Sequence, residues 1–290
     1  MLLGEDGIHS YIGEAVCMAN KPPIRVGIGG WSYAPWRETF YPESLPASKE
    51  LAWASRQLSM IEINSTFYGS QKPATFAKWR DDTPADFVFS VKASRYATAR
   101  RVLAESGDSV NRFIHSGIAE LGSKLGPIVW QFAETKVFDH DDLAAFLDML
   151  PDQVDGLPLR HVLDVRHQSF AVPEYLALAR RRGVATVFAD SDEYPMFADL
   201  TGPFVYARLM RTQATLKAGY APKALDAWAE AARCWQEGGE PAHLPRVELP
   251  GASGAPREVF MLFIAGAKEK APLAAKALLE RLGWTPPPHT

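Results

Sequence analysis

Cysteine is nearly absent from this chain. Cys17 and Cys234 are the only thiols in 290 residues, too few for a disulfide framework or a thiolate-rich metal site. No excess of charge of either sign exists. Thirty-one Lys and Arg face 34 Asp and Glu, a net charge of −3, so nucleic-acid binding has no support from a global basic field. No apolar run approaches the roughly 20 residues that cross a bilayer. The opening MLLGEDGIHS lacks the basic start of a signal peptide and carries Glu5 and Asp6 where one is apolar. The expected location is therefore cytoplasmic, with no membrane partner. A G-x-S-x-G elbow, a dinucleotide fingerprint and a P-loop lysine are all missing, and no cofactor is expected.

What is present reads as a soluble globular chain, 47% apolar and 22% charged. Residues 1–23, which end in Lys21-Pro22-Pro23, show no periodicity and read as a flexible N-terminal tail. From Ile24 onward, short runs rich in β-branched and aromatic residues recur. They lie at Ile24–Trp31, Met60–Asn64, Asp86–Ser94, Gly126–Phe132, Arg160–His167, Ala185–Ser191, Phe204–Met210 and Glu258–Ala265. Between most of them the apolar spacing turns helical: Ala47–Leu58, Ala74–Asp81, Val110–Lys124, Asp142–Leu150, Pro173–Arg182, Ala224–Glu237 and Pro272–Leu282. Only Asp192–Pro203 is too short and too broken for a full helix. This alternation predicts an α/β fold, a single (β/α)8 TIM-type barrel over 24–290. A doubly wound open sheet shares the same alternation. The Gly- and Pro-rich stretch Glu237–Pro256 reads as an insertion before the last strand.

Side chains alternate faces along a strand, so parity sorts them. Ile61 and Ile63 oppose Glu62 and Asn64; Phe87, Phe89 and Val91 oppose Val88, Ser90 and Lys92. Gln131 is the polar member of the fourth strand. Leu163 and Val165 oppose Asp164 and Arg166, Asp190 ends the sixth strand, and Tyr206 shares a face with Arg208. In a parallel barrel the apolar set packs against helices, which leaves Glu62, Asn64, Lys92, Gln131, Asp164, Arg166, Asp190 and Arg208 to converge at the C-terminal mouth. Three acids then balance three bases. The set is either a ligand site or a self-neutralising ion-pair network, because buried charges must be paired.

A run of ordered motifs adds a family resemblance. Gly29-Gly30-Trp31-Ser32-Tyr33, Trp36 and Phe40-Tyr41-Pro42 come first, then Glu62-Ile63-Asn64-Ser65-Thr66-Phe67-Tyr68. Thr83-Pro84-Ala85-Asp86-Phe87, Phe89-Ser90-Val91-Lys92-Ala93, Leu125-Gly126-Pro127 and Gln131-Phe132 follow. Asp164-Val165-Arg166-His167, Asp190 and Tyr206-Ala207-Arg208-Leu209 complete the series. From Ile24 to Trp284 the chain resembles the YecE-like family, domain of unknown function number 72, and the resemblance implies a (β/α)8 barrel. Three motifs depart from the family pattern. Asp164 stands where Glu is common, Arg208-Leu209-Met210-Arg211 replaces Arg-x-His-Gly, and Phe263-Ile264-Ala265 replaces Phe-Asn-Asn.

These residues limit the chemistry. Glu62, Asp164, His167 and Asp190 are types that ligate metals, but Lys92, Arg166 and Arg208 would repel a divalent cation from the same mouth, so no metal is expected. Glu62 and Asp164 are the acid–base candidates, for hydrolase or lyase chemistry. Lys92 joins them as a third catalytic candidate; its acidic neighbours argue against the deprotonated form that a Schiff base needs. Arg166, Arg208 and Arg211 offer planar donors for a carboxylate or phosphate. Trp31, Tyr33, Trp36, Phe67 and Tyr68 form an aromatic rim that stacks a sugar or base, or else packs as a lid. The expected ligand is an unidentified small molecule, anionic or sugar-like, contacted by Trp31, Tyr33, Asn64, Tyr68, Gln131, Arg166, His167, Asp190 and Arg208. The other reading is a barrel that binds a ligand or a protein without turning anything over.

Overall fold

Eight parallel strands close on themselves in the computed structural model, which describes residues 22–251 and 254–287. The strands are β1 (Ile24–Gly29), β2 (Met60–Ile63), β3 (Val88–Lys92), β4 (Leu125–Gln131), β5 (His161–Asp164), β6 (Ala185–Asp190), β7 (Val205–Leu209) and β8 (Val259–Phe263). Each pairs with its neighbours in sequence, and β1 pairs with β8 in the register Ile24↔Val259 to Ile28↔Phe263. That last pairing excludes the open sheet. Residues 1–21 of the predicted tail, Cys17 among them, lie outside the described residues, whereas the Pro22 and Pro23 carbonyls accept from Gln236 Nε2 and the Val259 N–H.

The crossovers are helical where the spacing predicts it. They include α1 (Glu50–Ala54), α2 (Pro73–Asp81), α3 (Gly107–Ile114), α4 (His140–Asp148), α5 (Pro173–Arg181), α6 (Pro222–Gln236) and α7 (Ala271–Leu282). Four of these begin with Pro at the first or second position, where its missing N–H costs nothing. Two expected helices are shorter than their periodicity suggests. The stretch 47–58 is a 3-10 turn followed by the five-residue α1. The stretch 110–124 is split by Gly117, whose φ of 107° ends α3 and starts a separate 3-10 segment, Ile118–Lys124. A small hairpin, Gln153–Val154 with Leu157–Pro158, precedes β5 and has no counterpart in the sequence reading. No helix among the described residues is long and apolar enough to cross a membrane.

Parity divides the core as expected. The outer faces supply Val26, Ile28, Ile61, Ile63, Phe89, Val91, Leu163, Val165, Ala207 and Leu209 to the helix-packed core. A separate apolar cluster fills the barrel itself: Met60, Val88, Val129, Val162, Ala185, Val187, Phe204, Tyr206, Phe260 and Leu262. Gly27 faces this interior opposite Met60 and Leu262. A Cβ there would overlap the Met60 carbonyl, so the glycine relieves crowding between strands. The apolar layer occupies the lower barrel, and the polar residues follow it toward the C-terminal ends.

Candidate active site at the barrel mouth

Strand pairing brings most of the predicted residues together. Gly29 registers with Glu62, Glu62 with Ser90, and Gln131 with Asp164. Residues that register across parallel strands share a face. At the centre sits Arg208. Its Nη2 donates to Glu62 Oε1 at 2.7 Å and Oε2 at 2.5 Å, while its Nη1 donates to Asp164 Oδ2 at 2.7 Å. Arg208 is 1% exposed, Glu62 0% and Asp164 2%. Tyr206 donates its hydroxyl to Glu62 at 2.7 Å and lies 2.8 Å from the Ser90 hydroxyl. Arg166 completes the network, donating to Asp164 at 3.2 Å and to Gln131 Oε1 at 2.8 Å. Beyond these it reaches the Tyr194 hydroxyl at 3.1 Å and lies 3.7 Å from the exposed Glu134.

The electrostatics follow from this geometry. Burial works against the Arg208 charge, yet Glu62 and then Asp164 hold its guanidinium above the ordinary arginine pKa. Burial, reinforced by the Glu62 charge, also keeps the Tyr206 hydroxyl protonated. The two carboxylates are therefore committed to Arg208, which runs against their expected service as a free acid–base pair. Both Nη atoms of Arg208 are taken up by the carboxylates, and its Nε is enclosed without a partner.

Lys92 is the exception. Its Nζ lies over the Phe67 ring at 4.1 Å and makes no ion pair or hydrogen bond among the described residues. The residue is 8% exposed. Burial lowers its pKa to about 8; Arg208 and Arg166 act in the same direction, while Glu62 and Asp164 oppose them. The expectation that acidic neighbours keep Lys92 firmly protonated is thereby corrected. Those neighbours are already neutralised by arginine, and desolvation dominates.

Asp190 requires a second correction. It registers with outward-facing Leu209, whereas Ala189 registers with Arg208. Its carboxylate accepts from the Tyr220 hydroxyl at 3.1 Å and pairs with Arg211 at 3.3 Å, away from the central network. Arg211 also pairs with Asp192 at 2.7 Å, which removes it from the three-arginine clamp. His167 is engaged locally. Its Nδ1 accepts from the Ser169 backbone N–H at 3.2 Å and caps the turn Gln168–Phe170. Among the described residues, no group of three or more His, Cys, Asp or Glu is placed to hold a metal ion.

The aromatic residues divide as well. Trp36, Phe40 and Tyr41 are buried packing, and Tyr33 packs edge-on against Trp36 at 5.3 Å. Trp31, Asn64 and Tyr68 line an open cleft of about 620 Å³ over the ends of β1, β2 and β8, together with Trp79, Ile264 and Lys268. Tyr68 is 65% exposed. A Cβ on Gly29 would sit 2.7 Å from Ile264 Cδ1 and 2.9 Å from Asn64 Nδ2, so this glycine keeps the floor of the cleft open. Sequence reasoning did not single out Tyr194 or Lys268, because they lie in connecting segments where no strand parity applies. Ser90 and Tyr206 were on the right face, and buried hydroxyls between two charged strand ends were the signal available for them.

The family described as Protein of unknown function DUF72 matches residues 25–289. The chain belongs to this family. Over 176 residues, 58% of the chain, it is 29% identical to the UPF0759 protein YecE of Escherichia coli strain K12, and the matched stretch spans 59% of that relative. The UPF0759 protein YunF of Bacillus subtilis strain 168 is 25% identical over 158 residues, 52% of the chain and 54% of the relative. The chain thus spans little more than half the length of these curated relatives. A crystal structure of a DUF72 family protein from Thermotoga maritima MSB8 superposes with a TM-score of 0.68 at 20% identity, covering 90% of this chain and 99% of that one. One from Enterococcus faecalis V583 gives 0.66 at 16% identity, covering 92% and 99%. These likenesses establish the family and the DUF72 barrel.

Proposed function

We propose that the C-terminal mouth of this DUF72 barrel binds a small anionic molecule, with Lys92 receiving the negative charge. The observation that carries this reading is the charge count once Asp190 is placed on the outer face. Among the described residues, the buried acids Glu62 and Asp164 face Lys92, Arg166 and Arg208, and of these three cations Lys92 is the one with no carboxylate in contact. An unpaired ammonium in a low-dielectric site is costly, and a carboxylate or phosphate beside it relieves that cost. Lys92 is linked to the cleft under Tyr68 through Phe67, whose ring lies under its Nζ and packs against Tyr68 at 5.1 Å. In this reading the Trp31 and Trp79 side of that cleft takes the body of the ligand. Proton transfer during turnover falls to Lys92 rather than to Glu62 or Asp164, because a general base works best with a pKa near the working pH. Binding without turnover rests on the same surplus charge, and a test for product separates the two.

The test is thermal unfolding of the wild type and Lys92→Met in phosphate, sulfate and small carboxylates. Such anions also stabilise proteins by surface exclusion, so the informative quantity is the difference between the two proteins at one concentration. A saturable rise in Tm in the wild type that is absent from Lys92→Met is expected, weakening as pH rises through about 8. Equal shifts in both proteins would defeat the reading.

A further inference from the structure

The position of Lys92 has a chemical consequence beyond holding an anion. We propose that Lys92 forms an imine with a small carbonyl compound that carries a carboxylate or phosphate, such as a 2-oxo acid. The inference rests on the reading of the mouth as an anion site and names the class of molecule it takes.

Three features of the geometry support it. First, Nζ is the one amine among the converging strand-end residues; it lies over the Phe67 face, and among the described residues no hydrogen bond or ion pair must break before its lone pair is available. Second, every charged group around it is already assigned. Glu62 and Asp164 are held by Arg208, and Asp164 also by Arg166, so neither carboxylate is free to fix the ammonium form by direct contact. Third, an anchor for the anionic end is close to the network. Arg166 lies 3.7 Å from the exposed Glu134, beyond hydrogen-bond distance, and an exposed pair of this kind is worth little. A substrate carboxylate can take that place without disturbing the Arg166 contacts to Asp164 and Gln131.

Desolvation supplies the reactivity. A pKa of about 8 leaves on the order of one lysine in ten neutral at pH 7, against about one in three thousand for an ordinary lysine. The neutral amine adds its lone pair to the carbonyl carbon, and a proton passes from nitrogen to the resulting oxyanion to give a carbinolamine. Protonation of the hydroxyl and loss of water then leave the iminium. The ammonium gives one proton to solvent before the attack, and solvent returns one to the departing hydroxyl. Ammonium and carbonyl thus become iminium and one water; the site starts and ends with one positive charge, and the amine and carbinolamine between are neutral. The iminium therefore sits in the same electrostatic setting as the ammonium it replaces, with Glu62 and Asp164 attracting it and Arg208 and Arg166 repelling it.

Borohydride trapping tests this. The protein is incubated with glyoxylate or pyruvate, reduced with sodium borohydride, digested and mapped by mass spectrometry. The expected result is one stoichiometric secondary-amine adduct on the peptide that contains Lys92. It should form at least tenfold faster than on exposed Lys78, with a rate that climbs as pH rises toward 8, and it should be absent from Lys92→Met and from Lys92→Arg. No adduct at Lys92, or labelling there no faster than at Lys78, overturns the imine. The two readings fail separately. If anions raise the Tm of the wild type but not of Lys92→Met while no adduct forms, the anion site stands and the imine falls. If the adduct forms equally well with a neutral aldehyde such as propanal, the demand for an anionic carbonyl falls.

Discussion

Replacing Arg208 by Met removes the charge at the centre of the mouth while keeping much of the side-chain length. Both carboxylates that it bridges are enclosed, Glu62 at 0% and Asp164 at 2% exposure, and they lose different amounts. Asp164 keeps Arg166 at 3.2 Å. Glu62 keeps only the Tyr206 hydroxyl at 2.7 Å, so its charge is left without a counter-charge in contact. Breaking a buried pair from one side costs about 3–5 kcal/mol, and here most of that falls on Glu62. For a chain of this size the loss corresponds to a drop in Tm on the order of 10 °C. Urea unfolding should show a lower midpoint with an unchanged slope. Adding Glu62→Gln removes the stranded charge and should restore at least half of the loss, because the neutral amide still accepts from Tyr206. That recovery is the coupling between the two sites. An Arg208→Met protein within about 1 kcal/mol of wild type would refute the reasoning. It would show that the network is hydrated and that Arg208 is held for something other than neutralising Glu62 and Asp164.

Two further outcomes follow from the same structure. Lys92 carries a folded-state pKa of about 8 against an unfolded value near 10.4. Between those values the unfolded chain binds more protons, so stability rises with pH across that window and the cost of the charge is fully present below pH 8. Lys92→Met should therefore be more stable than wild type at pH 7, by at most about 3 kcal/mol, with the difference vanishing above about pH 10.5. Paired denaturant curves at pH 7 and 10 check this, and a difference that grows with pH would contradict it. Gly27→Ala places a methyl group against the Met60 carbonyl between two hydrogen-bonded strands. Backbone cannot rotate away as a side chain can, so the cost should exceed about 3 kcal/mol, read as loss of the cooperative unfolding transition; wild-type unfolding would disprove the crowding argument.

Much of the mouth was legible in the sequence because strand parity is a local property. Once a run such as Met60–Asn64 or Phe87–Lys92 is extended, covalent geometry alone puts Glu62 on the face opposite Ile61, and Lys92 on the face opposite Val91. The helix-facing side then had to be the apolar one. Asp190 escaped this logic because Ala185-Thr186-Val187-Phe188-Ala189 is apolar or small on both faces, so the sequence offered no contrast from which to count. The pairing Asp190↔Leu209 decided it.

The sequence by itself determined the alternation of strands and helices and the face that most strand residues occupy. Tertiary structure decided which charges meet. Arg208 lies 146 residues from Glu62 and 44 from Asp164, and only closure of β1 on β8 brings β2, β5 and β7 around one axis. Pairing of β6 with β7 sends Arg211 to Asp190, and pairing of β2 with β3 leaves Lys92 beside Phe67 with no hydrogen bond or ion pair among the described residues. Contacts within a strand follow from the two-residue repeat of the backbone, whereas contacts across the barrel depend on strand order and stagger, which no local pattern encodes.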